Sequence, residues 1–225
     1  MIVAIDGPAA SGKTTTARGV AQRLGFRHID TGALYRAVTL HLLRQQTDIS
    51  DPGAVERALH DMDLRVAFDD RGQQTFLGEE NLGDLLRGVE VTAQVSAVSA
   101  LKAVRSQLLP VQRKIAHSHD VVLEGRDIGT VVFPDADIKI FMIADLMERA
   151  RRRKKDFAAK GIEKSLDELA AEIQARDEHN ANRDLAPMKP AEDAITLDTS
   201  HLAIEEQIDL IVSMVVERRN NNGGK

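Results

Sequence analysis

Gly7-Pro8-Ala9-Ala10-Ser11-Gly12-Lys13-Thr14 decides the fold. It is a full match to the phosphate-binding P-loop: glycine, four residues, glycine, lysine and a hydroxyl residue. The pattern means something only between a strand and a helix, and both flanks fit. Ile2 to Ile5 is continuously apolar, as a buried parallel strand requires. From Thr14 to Leu24, the residues Ala17, Val20, Ala21 and Leu24 recur at helical spacing. Gly7 and Gly12 allow a tight turn and a close approach of backbone to phosphate oxygen. Backbone N–H groups and the helix dipole then favour a polyphosphate. Lys13 would reach the β- and γ-phosphates, and the Thr14 hydroxyl would face Mg²⁺. A nucleoside triphosphate is the expected ligand.

Working outward, further strands alternate with helices. Phe26 to Ile29, Val121 to Leu123, Ile138 to Ile143 and Ala194 to Leu197 read as buried strands. Helices are expected over 32–43, 54–59, 91–117, 146–157, 166–179 and 204–216. Val131-Val132-Phe133 is cut short by Pro134 and is expected to be a loop or short edge piece. Between them, Leu64, Val66 and Phe68 alternate with polar neighbours, and Asp69-Asp70-Arg71-Gly72 signals a hairpin returning through Thr75-Phe76-Leu77. The expected fold class is α/β: a P-loop parallel sheet flanked by helices, carrying a small antiparallel insert. The expected division is one domain over 1–219, with core 1–59 and 96–219, insert about 60–95 and a disordered tail at 220–225.

Bulk composition narrows the partners. The 225 residues suit one α/β domain with a small insert. A net charge of −5 argues against a general nucleic-acid partner. The absence of cysteine rules out disulfides and thiolate metal sites. The amino terminus reads as neither signal nor transit peptide, and no apolar run approaches the about 20 residues that span a bilayer. A cytoplasmic protein with no membrane partner is expected.

A P-loop names neither substrate nor reaction. A GTPase needs an Asn/Thr-Lys-x-Asp guanine motif, and the chain has none. Nor does any run of four apolar residues end in the paired acids of motor ATPases. A small-molecule kinase must instead hold two mutually repelling phosphates and exclude water, for which arginine is suited. Arg36 follows Asp30-Thr31-Gly32, Arg126 follows Glu124-Gly125, and Arg176 and Arg183 lie near a helix end. Any one alone reads as a solvated surface arginine; two follow strand-like segments, where α/β folds place ligands. Arg149, Arg151, Arg152, Arg153, Lys154 and Lys155 form a dense basic run that is either a solvated helix face or a lid over phosphates. The lid would span about 148–165, with Gly161 as its hinge.

These pieces together resemble the bacterial cytidylate kinases of the nucleoside monophosphate kinase group. The likeness rests on Ile5 through Thr14, Asp30-Thr31-Gly32-Ala33-Leu34-Tyr35-Arg36, the thirteen residues Glu124 to Ala136, and Arg176-Asp177 followed by Asn180 and Arg183. The resemblance covers residues 2–218 and implies MgATP-dependent phosphorylation of CMP or dCMP by a monomer. It implies that Gly7, Pro8, Ala9, Ala10, Ser11, Gly12, Lys13, Thr14 and Thr15, with Arg149, Arg152 and Arg153, hold ATP. Lys13, Arg36 and Arg126 would hold the reacting phosphates, and Ser96, Arg105, Asp127 and Arg183 would surround cytosine. Thr31, Arg176 and Asn180 would lie near the ribose. Thr14 would be the direct Mg²⁺ ligand, with Asp30 or Glu124 acting through water. Asn180 stands where the family usually has aspartate, which puts sugar binding and the CMP-to-dCMP preference in question. Another P-loop kinase, acting on UMP or shikimate for example, and a nucleotide-dependent switch remain as alternatives.

Overall fold

Apolar runs become the middle of a parallel sheet. The computed structural model describes every residue except Ser118, Lys160 and 223–225. In chain order, β1 (Ile2–Asp6), α1 (Lys13–Leu24), β2 (Arg27–Asp30), α2 (Thr31–Arg44) and α3 (Pro52–His60) come first. The strands β3 (Leu64–Asp69), β4 (Gly72–Leu77) and β5 (Glu80–Asn81) follow, then α4 (Val89–Val98) and α5 (Lys102–Ala116). The chain continues through β6 (Val121–Glu124), β7 (Ile138–Ile143), α6 (Leu146–Ala158), α7 (Leu166–Ala181), β8 (Ile195–Asp198) and α8 (Ile204–Asn222). One sheet has the order β2-β6-β1-β7-β8, and a second has the order β3-β4-β5. In the first, β1 runs parallel to β6, with Val3 beside Val122, and parallel to β7, with Val3 beside Ile138. The alternating segment at 64–68 pairs antiparallel with β4, with Asp69 opposite Gly72, so Asp70-Arg71 is the two-residue turn.

The chain divides into two compact units, Met1–His28 with His119–Lys225, and Ile29–Ser118. The first is built on Val3, Ile5, Val20, Ile140 and Met142, with Ile208, Ile211 and Val215 of α8. The second surrounds Leu34, Val38 and Leu42 of α2 with Val55 and Leu59 of α3, Val95 and Val98 of α4, and Val104 and Leu108 of α5. The strand residues alternate, Val3 with Ile5 and Ile140 with Met142, and the helix residues form stripes turned inward.

Four segments differ from the sequence expectation. Helix over 91–117 is two helices, because Leu101 is extended (φ −67°, ψ 129°) and the Ser99 hydroxyl donates to Ser96 O at 2.9 Å, competing with the helix ladder. Val131-Val132 lie in a single π-turn over Ile128–Val132, closed by Phe133 N to Ile128 O at 2.7 Å. The interval 156–165, which its Gly161 marks as a mobile link by sequence, begins inside α6, which runs through Ala158. The disordered tail expected over 220–225 is helical over 220–222, because α8 runs to Asn222, and 223–225 lie outside the described residues. Arg219 anchors this last turn by pairing with Asp120 at 2.9 Å and lying 5.1 Å over the Phe26 ring.

One core residue is out of place chemically. Gln112 of α5 is 1% exposed, and neither its amide nitrogen nor its oxygen has a hydrogen-bond partner. A buried amide left unmatched carries a desolvation penalty. Gln112→Leu is therefore expected to raise the unfolding free energy by about 1–2 kcal/mol, read from urea denaturation. A loss of stability would show that the amide is paired in solution.

Candidate active site

The phosphate loop is shaped by its glycines. Gly7 has φ 144°, and a Cβ there would collide with Met142 O on β7, so no other residue fits. Gly12, at φ 96°, turns the chain into α1. Lys13 is 5% exposed, and its Nζ donates to Pro8 O at 2.6 Å and to Ser11 Oγ at 3.2 Å. Burial, then the Arg126 charge, pushes the Lys13 ammonium well below its usual pKa, against the pull of Glu124, Asp6 and Asp177. Such a cation gains most from an arriving polyanion.

Glu124, at the carboxyl end of β6, joins two elements. It accepts from Thr14 Oγ1 at 2.8 Å through Oε2, and its Oε1 lies 3.2 Å from His28 Nε2. Burial alone would raise its pKa; the bond to His28, the neighbouring charges and the Thr14 hydroxyl overcome this and hold it below the ordinary carboxylate value. An ionised carboxylate only accepts, so Nε2 of His28 is the donor. The Thr14 hydroxyl proton is thereby committed to Glu124, which leaves the hydroxyl oxygen's lone pairs for a cation.

Asp6 has a comparable role on the adjacent strand, β1. Its two oxygens accept from Ile128 N and Gly129 N, each at 2.8 Å, and so cap the π-turn that follows Arg126-Asp127. Burial pushes the Asp6 carboxyl up to about 6, with Asp127 adding to the rise and the two backbone amides working against it. Arg126 donates to Gly125 O at 3.0 Å. Asp127 lies 3.4 Å from Arg183, with both side chains buried. Asn180 is 3% exposed and donates to Arg176 O at 2.8 Å, a backbone bond an aspartate could not make. Arg126, Asp127, Arg176, Asn180 and Arg183 all belong to the first unit.

The basic helix grips the loop. Arg149 is buried, pairs with Asp177 and donates to Ala9 O at 3.3 Å, while Asp177 accepts from Ala9 N at 3.2 Å. Arg152 donates to Ser11 O at 3.2 Å and to Thr199 O at 2.6 Å. Arg153 points elsewhere, 4.5 Å over the Phe157 ring. Thus Arg149 and Arg152 meet the phosphate loop and Arg153 does not.

In the second unit, Thr31 is the first residue of α2 and is buried. Arg36, one turn on, donates to Leu86 O at 3.2 Å and Thr92 Oγ1 at 3.1 Å. Ser96 lies in α4, and Arg105 of α5 donates to Ser99 O at 3.4 Å and lies 5.8 Å over the Tyr35 ring. Sequence reasoning gave no role to Asp6, His28, Gln73, Asp177 or Thr199. Asp6, within Ile5 to Thr14, and Asp177, within Arg176-Asp177, lay in segments that carried the resemblance; the other three carried no signal.

Among the described residues no cluster of three metal-ligating side chains occurs. The donors at Thr14 and Glu124 are hard oxygens, which suit Mg²⁺ carried largely by phosphates and water. Also among the described residues, no helix is long and apolar enough to cross a membrane.

The family model for cytidylate kinase matches residues 3–217. The cytidylate kinase of Carboxydothermus hydrogenoformans is 43% identical over 98% of this chain and 99% of its own. That of Salinibacter ruber is 46% identical over 96% of each. Among solved structures, an uncharacterised protein from Eubacterium ventriosum shares the fold, with a TM-score of 0.53 and 12% identity over 96% of this chain and 98% of its own.

Proposed function

The chain belongs to the cytidylate kinase family, and from that premise we propose that it transfers the γ-phosphoryl group of MgATP to CMP or dCMP, giving ADP and CDP or dCDP. The observation that carries the cytosine reading is the buried Asp127–Arg183 pair, 3.4 Å apart. It sets a hydrogen-bond acceptor beside donors, which complements a base presenting an amino group next to acceptor atoms. Uracil carries an oxygen where cytosine has that amino group, and a carboxylate there repels it.

In the proposed mechanism an oxygen of the acceptor phosphate attacks the γ-phosphorus, and the bond to the β–γ bridging oxygen breaks as ADP leaves. The acceptor oxygen is already ionised at neutral pH, so no strong base is required. Positioning and charge neutralisation do the catalysis. Residues 7–15 hold the ATP phosphates, and Lys13, Arg36 and Arg126 neutralise the reacting groups. Arg149 and Arg152 exchange loop carbonyls for phosphate oxygens, and Arg153 leaves the Phe157 ring to join them. Thr31, Arg176 and Asn180 hold the sugar, and Ser96, Arg105, Asp127 and Arg183 hold the base. Thr14 would hold Mg²⁺ directly and Glu124 or Asp30 through water; when bound, the ion would screen charge on the phosphates. The proposed division is one kinase domain over 1–219, with a monophosphate-binding insert at about 60–95 and a lid at about 148–165. We place the enzyme in the cytoplasm as a monomer.

The test is ADP release from MgATP with CMP, dCMP, UMP and AMP in parallel. Turnover with the cytidine nucleotides at least about 100-fold above UMP is expected. A preference for UMP or AMP, or no turnover with any of the four, would overturn the assignment.

A further inference from the structure

One side chain of the antiparallel hairpin reaches the start of α2. Gln73 lies on β4, and its amide pairs with Asp30 as a strand would. Asp30 N donates to Gln73 Oε1 at 2.9 Å, and Gln73 Nε2 donates to Asp30 O at 3.1 Å. The same Nε2 lies 3.4 Å from Thr75 Oγ1, within the strand. Asp30 is held a third way, since its carboxylate caps α2 by accepting from Ala33 N at 3.1 Å. Backbone and side chain of Asp30 are thus fixed immediately before Thr31. Downstream of the hairpin, Leu86 O and Thr92 Oγ1 accept from Arg36.

We infer that Gln73 is a positioning residue for the phosphate acceptor, acting through the Asp30 backbone to set Thr31 and the first turn of α2. This rests on the acceptor roles proposed above for Thr31 and Arg36. A primary amide suits the task because it offers one donor and one acceptor in a plane, matching one residue's N–H and C=O. A carboxylate supplies no donor for Asp30 O, and an apolar chain supplies neither group. Both Gln73 bonds are made to the Asp30 backbone and neither to its carboxylate, so their loss is expected to fall on the acceptor far more than on ATP.

The experiment compares Gln73→Met, which keeps length and removes both bonds, with Gln73→Glu, which removes the donor. Gln74→Ala is the control; that side chain bonds Asn81 and Asp69 instead. Steady-state KM for CMP and for ATP is measured for each, with calorimetric CMP binding in the absence of ATP and a thermal melt. Gln73→Met is expected to raise the CMP KM and weaken CMP binding about tenfold, leaving the ATP KM within about twofold. Gln73→Glu follows in the same direction, and Gln74→Ala moves neither constant. An unchanged CMP KM, or equal rises in both constants, overturns the inference. Should Gln73→Met fail to fold, the two constants of Gln73→Glu decide in the same way. If the wild type phosphorylates another nucleotide instead of CMP, the functional reading fails separately, and the acceptor-against-ATP split is read on that nucleotide.

Discussion

Lys13→Met lowers kcat/KM for the phosphoryl transfer by about 10³-fold while the folded protein becomes more stable by about 1 kcal/mol. Both expectations follow from the same burial. Lys13 is 5% exposed, and its neighbours include the positive charge of Arg126. A cation desolvated in this way lowers the stability of the unliganded chain and gains strongly when a triphosphate restores its partner. Methionine matches its length, removes the charge and leaves Pro8 O and Ser11 Oγ without their donor. That last loss is why the expected gain is small. Activity and stability moving in opposite directions is the signature of a site that stores strain for function. Parallel kinetics and thermal unfolding of the variant check both halves. A residual kcat/KM above about a tenth of wild type would remove Lys13 from the reacting centre.

Asp127→Ala is expected to cost about 3 kcal/mol of stability and to reduce the preference for CMP over UMP by about 100-fold. Asp127 and Arg183 lie 3.4 Å apart with side chains only 6% and 4% exposed, so removing the carboxylate takes a close counter-charge from a buried guanidinium. Removing both partners is less severe than removing one, and Asp127→Ala combined with Arg183→Ala should recover some of the lost stability without restoring selectivity. Asp127→Asn is the sharper selectivity probe. Its amide keeps an acceptor and adds a donor, which uracil can use. The ratio of kcat/KM values for CMP and UMP decides the matter. If that ratio is unchanged in Asp127→Asn, the carboxylate does not face the base.

The local chemistry of the phosphate loop was fully legible. Gly7 and Gly12 stand where backbone geometry demands them, and the apolar run before them and the periodic run after them can form only a strand and a helix. The hairpin was legible for the same reason, since alternation at 64–68 and a turn at 69–72 are both short-range signals. The break at Ser99–Leu101 was not, because apolar spacing continues across it and only backbone competition by a serine ends the helix. Nor was the extent of α8, where a polar segment stays helical because Arg219 is tied to Asp120 and Phe26.

The α/β class, the phosphate loop, the antiparallel insert and, by motif, the family follow from the order of residues alone. Each depends on residues close together in the chain, where backbone sterics and periodicity act directly. Three-dimensional packing settles how that loop and the start of α2 are held. Asp6 meets the Ile128 amide across 122 residues, Thr14 meets Glu124 across 110, Ala9 meets Asp177 across 168, and Gln73 meets Asp30 across 43. No local period encodes such pairs. They exist because sheet order and helix packing bring distant polar groups together, where burial requires that each find a partner.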